Sequence, residues 1–131
     1  MIGLDTNVLV RYLAQDEPTQ AAVATRIIEQ ELTEQNPGFV GLVVLVELAW
    51  VLRRLYGATQ TEIVQTIGDL LAARTLVIEQ RDLVARALAL CGHEGVGFAD
   101  AVIAASAAAA GCTATVTFDR GAQRLGMTLV E

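Results

Sequence analysis

The stretch MIGLDTNVL, residues Met1 to Leu9, decides how the chain begins to fold. Its first five residues are mostly apolar and end at Asp5, which predicts a short buried strand over 1–5. From Thr6 to Ala14 the apolar residues recur at helical spacing, so a helix is expected there. An aspartate therefore stands where a strand gives way to a helix. In parallel α/β proteins this edge of the sheet is where chemistry collects.

The rest of the chain repeats the alternation of strand and helix. Apolar periodicity, proline and glycine positions predict further helices at 16–35, 43–56, 59–73, 81–93, 98–110 and 120–125. Short strands are predicted at 39–42, 75–79, 113–118 and 127–130. Parallel strands need crossover connections such as helices. The order therefore predicts an α/β fold of three layers, α/β/α, with a short parallel sheet, in one domain over residues 1–131.

Composition narrows the class of protein. The chain has 131 residues, of which 53% are hydrophobic and 18% charged, a balance that argues against disorder. No apolar run reaches the roughly 18 residues that a membrane span needs. The first residues lack a basic leader and a cleavage site, so a signal peptide is not expected and the location is predicted to be cytoplasmic. Cys91 and Cys112 are interpreted as small buried hydrophobes, because His93 alone does not complete a zinc site.

The charged residues bear on nucleic-acid binding and on the possible mechanisms. The net charge of −6 argues against a protein that binds nucleic acid through a broad basic face. All nine basic residues are arginine, which suits bidentate contact with phosphate but also follows from a coding bias. The absence of lysine is more informative, because it excludes mechanisms that require one.

Four acidic residues are candidates for a functional site. Each lies near the beginning or end of a predicted element, or has no basic residue nearby in the sequence to pair with. They are Asp5, Glu47, Asp100 and Asp119. The aspartates also have structural interpretations: Asp5 and Asp119 as helix N-caps, and Asp100 as a charge that favours the positive end of its helix. Each of these alternatives stays open on the sequence alone.

Glu47 has no structural interpretation of this kind. Its helical neighbours are apolar, so no basic side chain can pair with it locally, and the surrounding stretch 43–56 predicts a largely buried helix. A carboxylate buried alone is costly, and a cation shared with other acids would compensate it. Oxygen ligands favour Mg²⁺ or Mn²⁺ over zinc. Such an ion can activate water and stabilise charge on a phosphate oxygen.

At this point the residues resemble a known family. The opening MIGLDTNVL is similar to the start of a PIN domain, and specifically of VapC-type toxins. Three later segments resemble the family's other acidic motifs in the family's order: 44–48 (VLVEL), 98–101 (FADA) and 117–119 (TFD). One departure is that many relatives carry a serine shortly before the second acid, where this chain has Leu42 or Val43.

The resemblance implies a site and an activity. Asp5, Glu47, Asp100 and Asp119 would form a metal-binding acidic pocket for Mg²⁺ or Mn²⁺, with Thr6, Asn7 and Thr117 as polar supporting or substrate-orienting groups. The activity implied is endoribonuclease cleavage of RNA by metal-activated water, leaving a 5′-phosphate and a 3′-hydroxyl. The protein would be the toxin of a toxin–antitoxin pair, held inactive by a cognate antitoxin, and would form a homodimer.

Several residues are candidates for contact with RNA or with an antitoxin. Arg11, Arg53 and Arg54 are candidates for phosphate contact or for pairing with an antitoxin carboxylate, with solvated surface charge as the alternative. The helix stripes Ile63, Ile67 and Leu70, or Leu9, Leu13 and Ile28, would form an apolar groove for the antitoxin if they are not ordinary core.

Other function classes fit less well. A phosphoacceptor receiver domain and a haloacid-dehalogenase-like phosphatase both pair an aspartate with a lysine, and this chain has no lysine. The alternative that stays open is a PIN fold that binds RNA or protein without cutting. Substitution of Asp5 or Asp100 separates the two functions.

Overall fold

The computed structural model describes residues 1–92 and 95–130 and has an α/β architecture of three layers, with short parallel strands among helices. The helices are α1 (Thr6–Ala14), α2 (Pro18–Arg26), α3 (Leu42–Tyr56), α4 (Gln60–Ala72), α5 (Arg81–Leu90) and α6 (Phe98–Ala109). The strands are β1 (Ile2–Gly3), β2 (Gly38–Val40), β3 (Leu76–Ile78), β4 (Val116–Thr117) and β5 (Thr128–Leu129). A 3₁₀ helix covers Arg120–Leu125. The predicted order of elements is confirmed, whereas the predicted end of α5 at His93 lies outside the described residues.

The strands form two hydrogen-bonded groups in the described part of the chain. The first has the order β1-β2-β3 and the second joins β4 to β5, and every pairing is parallel. The carboxyl ends of β1, β2 and β3 therefore meet at one edge. The strand predicted at 1–5 is not buried as expected, because β1 is an edge strand and both its residues are exposed.

The second long helix is shorter than predicted. The expected helix ran to residue 35, but α2 passes at Ile27–Glu31 into a π-helical turn and Leu32 is already extended. Leu32 packs on β2 so closely that a Cβ at Gly38 would lie 2.8 Å from its Cδ1 atom and 2.9 Å from Cδ1 of Leu4. A side chain at position 38 would therefore force these two leucines to move, which favours glycine where the chain enters β2.

The core lies where the helices meet the first sheet. Its fully buried side chains come from α1, β2, α3, α4, α5 and α6; the largest are Leu9, Val40, Leu45, Leu48, Ile67 and Val84. The stripe Ile63, Ile67 and Leu70 is buried in this core, as is Leu9. The Ile63 stripe is therefore ordinary core and not an open groove, whereas in the other stripe Leu13 is 36% exposed and Ile28 is half-buried.

Helix α3 is less buried than its composition predicts. One side carries the core residues Leu45, Leu48 and Leu52, but Val43 is 79% exposed and Trp50 58% exposed on the other. Because every residue from 42 to 52 except Glu47 is apolar, the hydrophobic pattern could not show which side the fold leaves open.

The cysteines differ from each other. Cys91 is buried, and burial raises the pKa of its thiol, so that it stays protonated and behaves as the predicted small hydrophobe. Cys112 is exposed, which contradicts the prediction for that residue. Both thiols are free.

In the described residues no helix combines the length and the apolar character needed to cross a membrane.

Helix α4 begins with a capping box. The Thr59 hydroxyl accepts a hydrogen bond from the Glu62 backbone N–H (3.2 Å), and the Glu62 carboxylate accepts one from the Thr59 N–H (2.8 Å). The Thr59 N–H is the main reason that the pKa of Glu62 lies below its ordinary value. A carboxylate with a lowered pKa stabilises the fold above its unfolded-state pKa, and this contribution is lost as the pH falls through the lowered value.

We expect Thr59→Ala to lower the free energy of unfolding by about 1 kcal/mol, because it removes one half of the box. Urea denaturation at neutral pH measures this loss, which arises from the missing hydroxyl acceptor, since the Thr59 N–H still donates to the Glu62 carboxylate in the variant. Thr61→Ala is the matched control, since Thr61 is exposed inside the helix and alanine is the better helix former. An equal loss in both variants would contradict the capping account.

Candidate functional site

Asp5 lies at the junction of β1 and α1. It occupies the N-cap position of α1, yet its side chain makes no capping hydrogen bond and is exposed. The structural alternative for this aspartate therefore lacks its defining contact. The next residue, Thr6, is only 3% exposed, and its Oγ1 atom has no hydrogen-bond partner. A buried hydroxyl without a partner is unusual in a folded protein and calls for an explanation.

Glu47 lies on the open side of α3. The structure places its side chain in solvent, so the prediction of a buried carboxylate that needs compensation is wrong. The prediction that Glu47 lacks a basic partner agrees with the structure, because it forms no ion pair in the described part of the chain. It remains an acid without a structural contact to account for it.

Asp100 lies in the first turn of α6 and is half-buried. The N-cap residue of this helix is Gly97, which offers no side chain to the first amides. The Asp100 carboxylate therefore sits near the positive end of the helix, where negative charge is favoured. The structural interpretation of this aspartate and a metal-binding role are both compatible with its position.

Asp119 follows β4 and begins the 3₁₀ helix. Its Oδ1 atom accepts a hydrogen bond from the Gly121 N–H (2.9 Å), so the predicted capping role is present. Its own N–H donates to Oγ1 of Thr117 (3.0 Å). Thr117 thus fixes the backbone that carries Asp119, while the Asp119 side chain is exposed and its second carboxylate oxygen accepts no hydrogen bond from the described residues.

The four acids lie on elements that pack against one another. Helix α1 contacts α3, α3 contacts α6, and α6 contacts the 3₁₀ helix that Asp119 begins. The side chains themselves are not gathered: within residues 1–92 and 95–130, no three acidic, histidine or cysteine side chains form a group that could hold a metal ion. Asp119 follows β4, which in the described residues pairs with β5 and not with β1.

The donor chemistry nevertheless fits a hard divalent cation. Asp5 has a carboxylate without a capping bond, and the adjacent Thr6 hydroxyl is buried without a partner. Carboxylates, hydroxyls and ion-bound water are the oxygen groups that Mg²⁺ and Mn²⁺ take in proteins. The unpartnered Thr6 hydroxyl would supply a hydrogen bond to a ligand of this kind.

Arg11 and Asn7 line a cleft of about 310 Å³ between α1 and α2. The Arg11 side chain is half-buried and donates to Gln20 Oε1 (2.8 Å), and its Nη1 atom lies 3.4 Å from Asp16 Oδ1. The Tyr56 hydroxyl donates to the same Asp16 carboxylate (2.8 Å). This network holds Arg11 in a fixed position at the cleft, whereas Asn7 is exposed.

One acid at the same sheet edge was not singled out from the sequence. Glu79 directly follows β3, and its Oε1 atom accepts a hydrogen bond from the Leu42 N–H (2.7 Å), the first amide of α3. Glu79, although far from α3 in the sequence, therefore caps the start of this helix, which carries Glu47. The signal was available, because Glu79 ends a predicted strand as Asp5 and Asp119 do.

A larger cleft of about 570 Å³ opens beside Glu47, between α3, α4 and residues 95–99. Of the four acids, only Glu47 lines it. Trp50 and Arg53 follow on the same side of α3. Gln60 closes the cleft from α4, and its side-chain oxygen accepts a hydrogen bond from Arg53 Nη1 (3.3 Å).

Comparison with known proteins bears on the family of this chain. No curated protein matches this chain. The model of the PIN domain family matches residues 2–126, a span that contains all four acids. PIN domains are typically metal-dependent nucleases and in general use divalent ions. Since the match covers nearly the whole sequence, the chain belongs to the PIN-domain family.

Proposed function

We propose that this PIN domain is a metal-dependent endoribonuclease that hydrolyses RNA phosphodiester bonds. The observation that carries the proposal is the pair at the end of β1: the Asp5 carboxylate makes no capping bond, and the buried Thr6 hydroxyl beside it has no partner. Membership of a family of nucleases supports the same function.

In this proposal Asp5, Glu47, Asp100 and Asp119 hold Mg²⁺ or Mn²⁺. When bound, such an ion lowers the pKa of water and offsets negative charge on a phosphate oxygen. The buried Thr6 hydroxyl, which has no partner within the folded chain, would hydrogen-bond to the hydrated ion, and Thr117 holds the backbone of Asp119. Asn7, exposed in the first turn of α1, is positioned to contact substrate.

The proposal extends to a toxin of a toxin–antitoxin pair that acts in the cytoplasm. The cleft between α1 and α2 offers an apolar surface, with Val23 40% exposed, beside the fixed guanidinium of Arg11. Such a cleft suits an antitoxin helix with one carboxylate. A homodimer is supported by apolar side chains that the single chain leaves in solvent, among them Phe118, which is 81% exposed.

The function is tested by incubating the purified protein with a structured RNA pool in Mn²⁺, in Mg²⁺ and in EDTA. We expect cutting in either metal and none in EDTA, with 5′-phosphate ends on the products. A preparation freed of any co-purified antitoxin that leaves several RNA pools intact in both metals would contradict the nuclease proposal.

The second candidate function is a PIN fold that binds RNA without cutting it. It is favoured by the finding that the four acids are not gathered into a metal group in the described residues. RNA binding without cleavage, unchanged by Asp5→Asn, would support it. Metal-dependent cleavage that is lost in this variant would exclude it.

A further inference from the structure

The cleft beside Glu47 contains an aromatic side chain that the fold does not use. Trp50 is the only tryptophan of the chain, and 58% of its surface is exposed. A tryptophan buried in a core or stacked under other side chains would be explained by packing. This one lines the open cleft, three residues after Glu47 and therefore one helical turn, roughly 5 Å, along the same side of α3.

Two arginines follow Trp50 on α3. The Arg54 guanidinium lies 5.9 Å from the ring centroid of Trp50, and Arg53 lines the same cleft as the ring. In the part of the chain that the structure describes, neither arginine forms an ion pair. Arg53 has only a neutral partner, the side-chain oxygen of Gln60 (3.3 Å). In a protein of net charge −6, two adjacent uncompensated cations are an uncommon local feature.

We propose that Trp50, Arg53 and Arg54 form a subsite for one nucleotide of single-stranded RNA, with the base stacked on the indole and its phosphate held by the guanidinium groups. The proposal rests on the proposed function, since it names where the substrate of that reaction binds. Base–aromatic stacking with arginines along the backbone is the usual chemistry of single-strand recognition. A base seated here would place a neighbouring phosphate close to Glu47.

A protein interface is the alternative use of this surface, since tryptophan and arginine are also common in such interfaces. In the described residues, however, Arg53 and Arg54 have no ion-pair partner, and two such cations beside an exposed aromatic ring suit a polyanion. The charge pattern and the single turn between Trp50 and Glu47 favour RNA.

The test uses the tryptophan itself as the reporter. An eight-nucleotide oligoadenylate is titrated into the wild-type protein in EDTA, which prevents cutting, and into Asp5→Asn in Mg²⁺. Because Trp50 is the only tryptophan, stacking should quench the intrinsic fluorescence in a saturable manner. A fluorescein-labelled copy of the same oligonucleotide gives affinities for the variants by anisotropy.

We expect Trp50→Ala to weaken binding about tenfold or more, and Trp50→Phe to change it much less, because phenylalanine keeps a stacking face. Arg53→Ala and Arg54→Ala should weaken binding and reduce its dependence on salt. Leu55→Ala and Arg74→Ala are the matched controls, as Leu55 is 69% exposed on the same helix and Arg74 is exposed elsewhere. Neither control should alter the affinity.

The outcomes separate the subsite from the nuclease. If wild type cuts RNA but Trp50→Ala binds the oligonucleotide as tightly, the subsite is wrong and the nuclease stands. If the oligonucleotide quenches Trp50 but no RNA is cut in metal, the subsite stands and the nuclease is wrong. Unchanged RNA affinity with an altered oligomeric state of Trp50→Ala in solution would overturn the subsite in favour of a protein interface.

Discussion

Asp5→Asn is expected to reduce metal-dependent RNA cleavage at least about a hundredfold while leaving the fold intact. Loss of groups that merely support a metal ligand typically costs 10- to 100-fold, and a ligand itself should cost no less. The substitution keeps the shape of the side chain but removes its charge. Because the Asp5 side chain is exposed and makes no capping bond, little stability depends on it, and asparagine is also accepted at an N-cap.

The comparison needs a second acid and a control. Asp100→Asn should lose cleavage to a similar degree, since it removes a different carboxylate of the same proposed site. Asp82→Asn, an exposed acid in the first turn of α5, changes the net charge equally and should cut like the wild type. Initial cleavage rates and thermal midpoints are measured for all three. Wild-type rates in both Asp5→Asn and Asp100→Asn would show that the acidic site has been assigned to the wrong residues.

The second large effect concerns stability. Leu48→Ala is expected to lower the free energy of unfolding by about 2–5 kcal/mol, because Leu48 is 0% exposed in the core and its truncation leaves a cavity. Domains of this size are stable by only about 5–15 kcal/mol, so the variant should unfold at a much lower urea concentration. The slope of the transition should stay the same.

Leu55→Ala is the matched control for this loss. Leu55 belongs to the same helix but is 69% exposed, so the substitution should change stability by no more than about 0.5 kcal/mol. Equal losses at both positions would mean that α3 does not present the Leu48 side to the core.

The sequence predicted most elements because their signals are local. The helix Thr6–Ala14 has the bounds that the sequence predicts. The predicted end of α3 at Tyr56 is also observed, and there Gly57 adopts a left-handed conformation (φ 65°). The π-helical turn at Ile27–Glu31 was not predicted, since Ile27, Ile28 and Leu32 keep ordinary helical spacing in the sequence.

The candidate site was predicted in part, for a similar reason. Asp5 and Asp119 were found because they end strands, and this depends on neighbouring residues in the sequence. The burial of Glu47 depends on what covers α3, and an apolar composition on all sides of the helix does not reveal it. Trp50 was overlooked because an aromatic residue within an apolar helix is most often core, and only its exposure distinguishes it.

The most direct test of the central claim, that a metal held by these acids cuts RNA, is the cleavage rate of the wild-type protein as a function of Mn²⁺ concentration, with the thermal midpoint recorded on the same samples. An ion that binds only the folded state raises the midpoint as it fills its site. The account predicts that rate and midpoint rise over the same concentration range, and that EDTA reverses both. Cutting that continues in EDTA, or a midpoint that does not move at millimolar Mn²⁺, would contradict it.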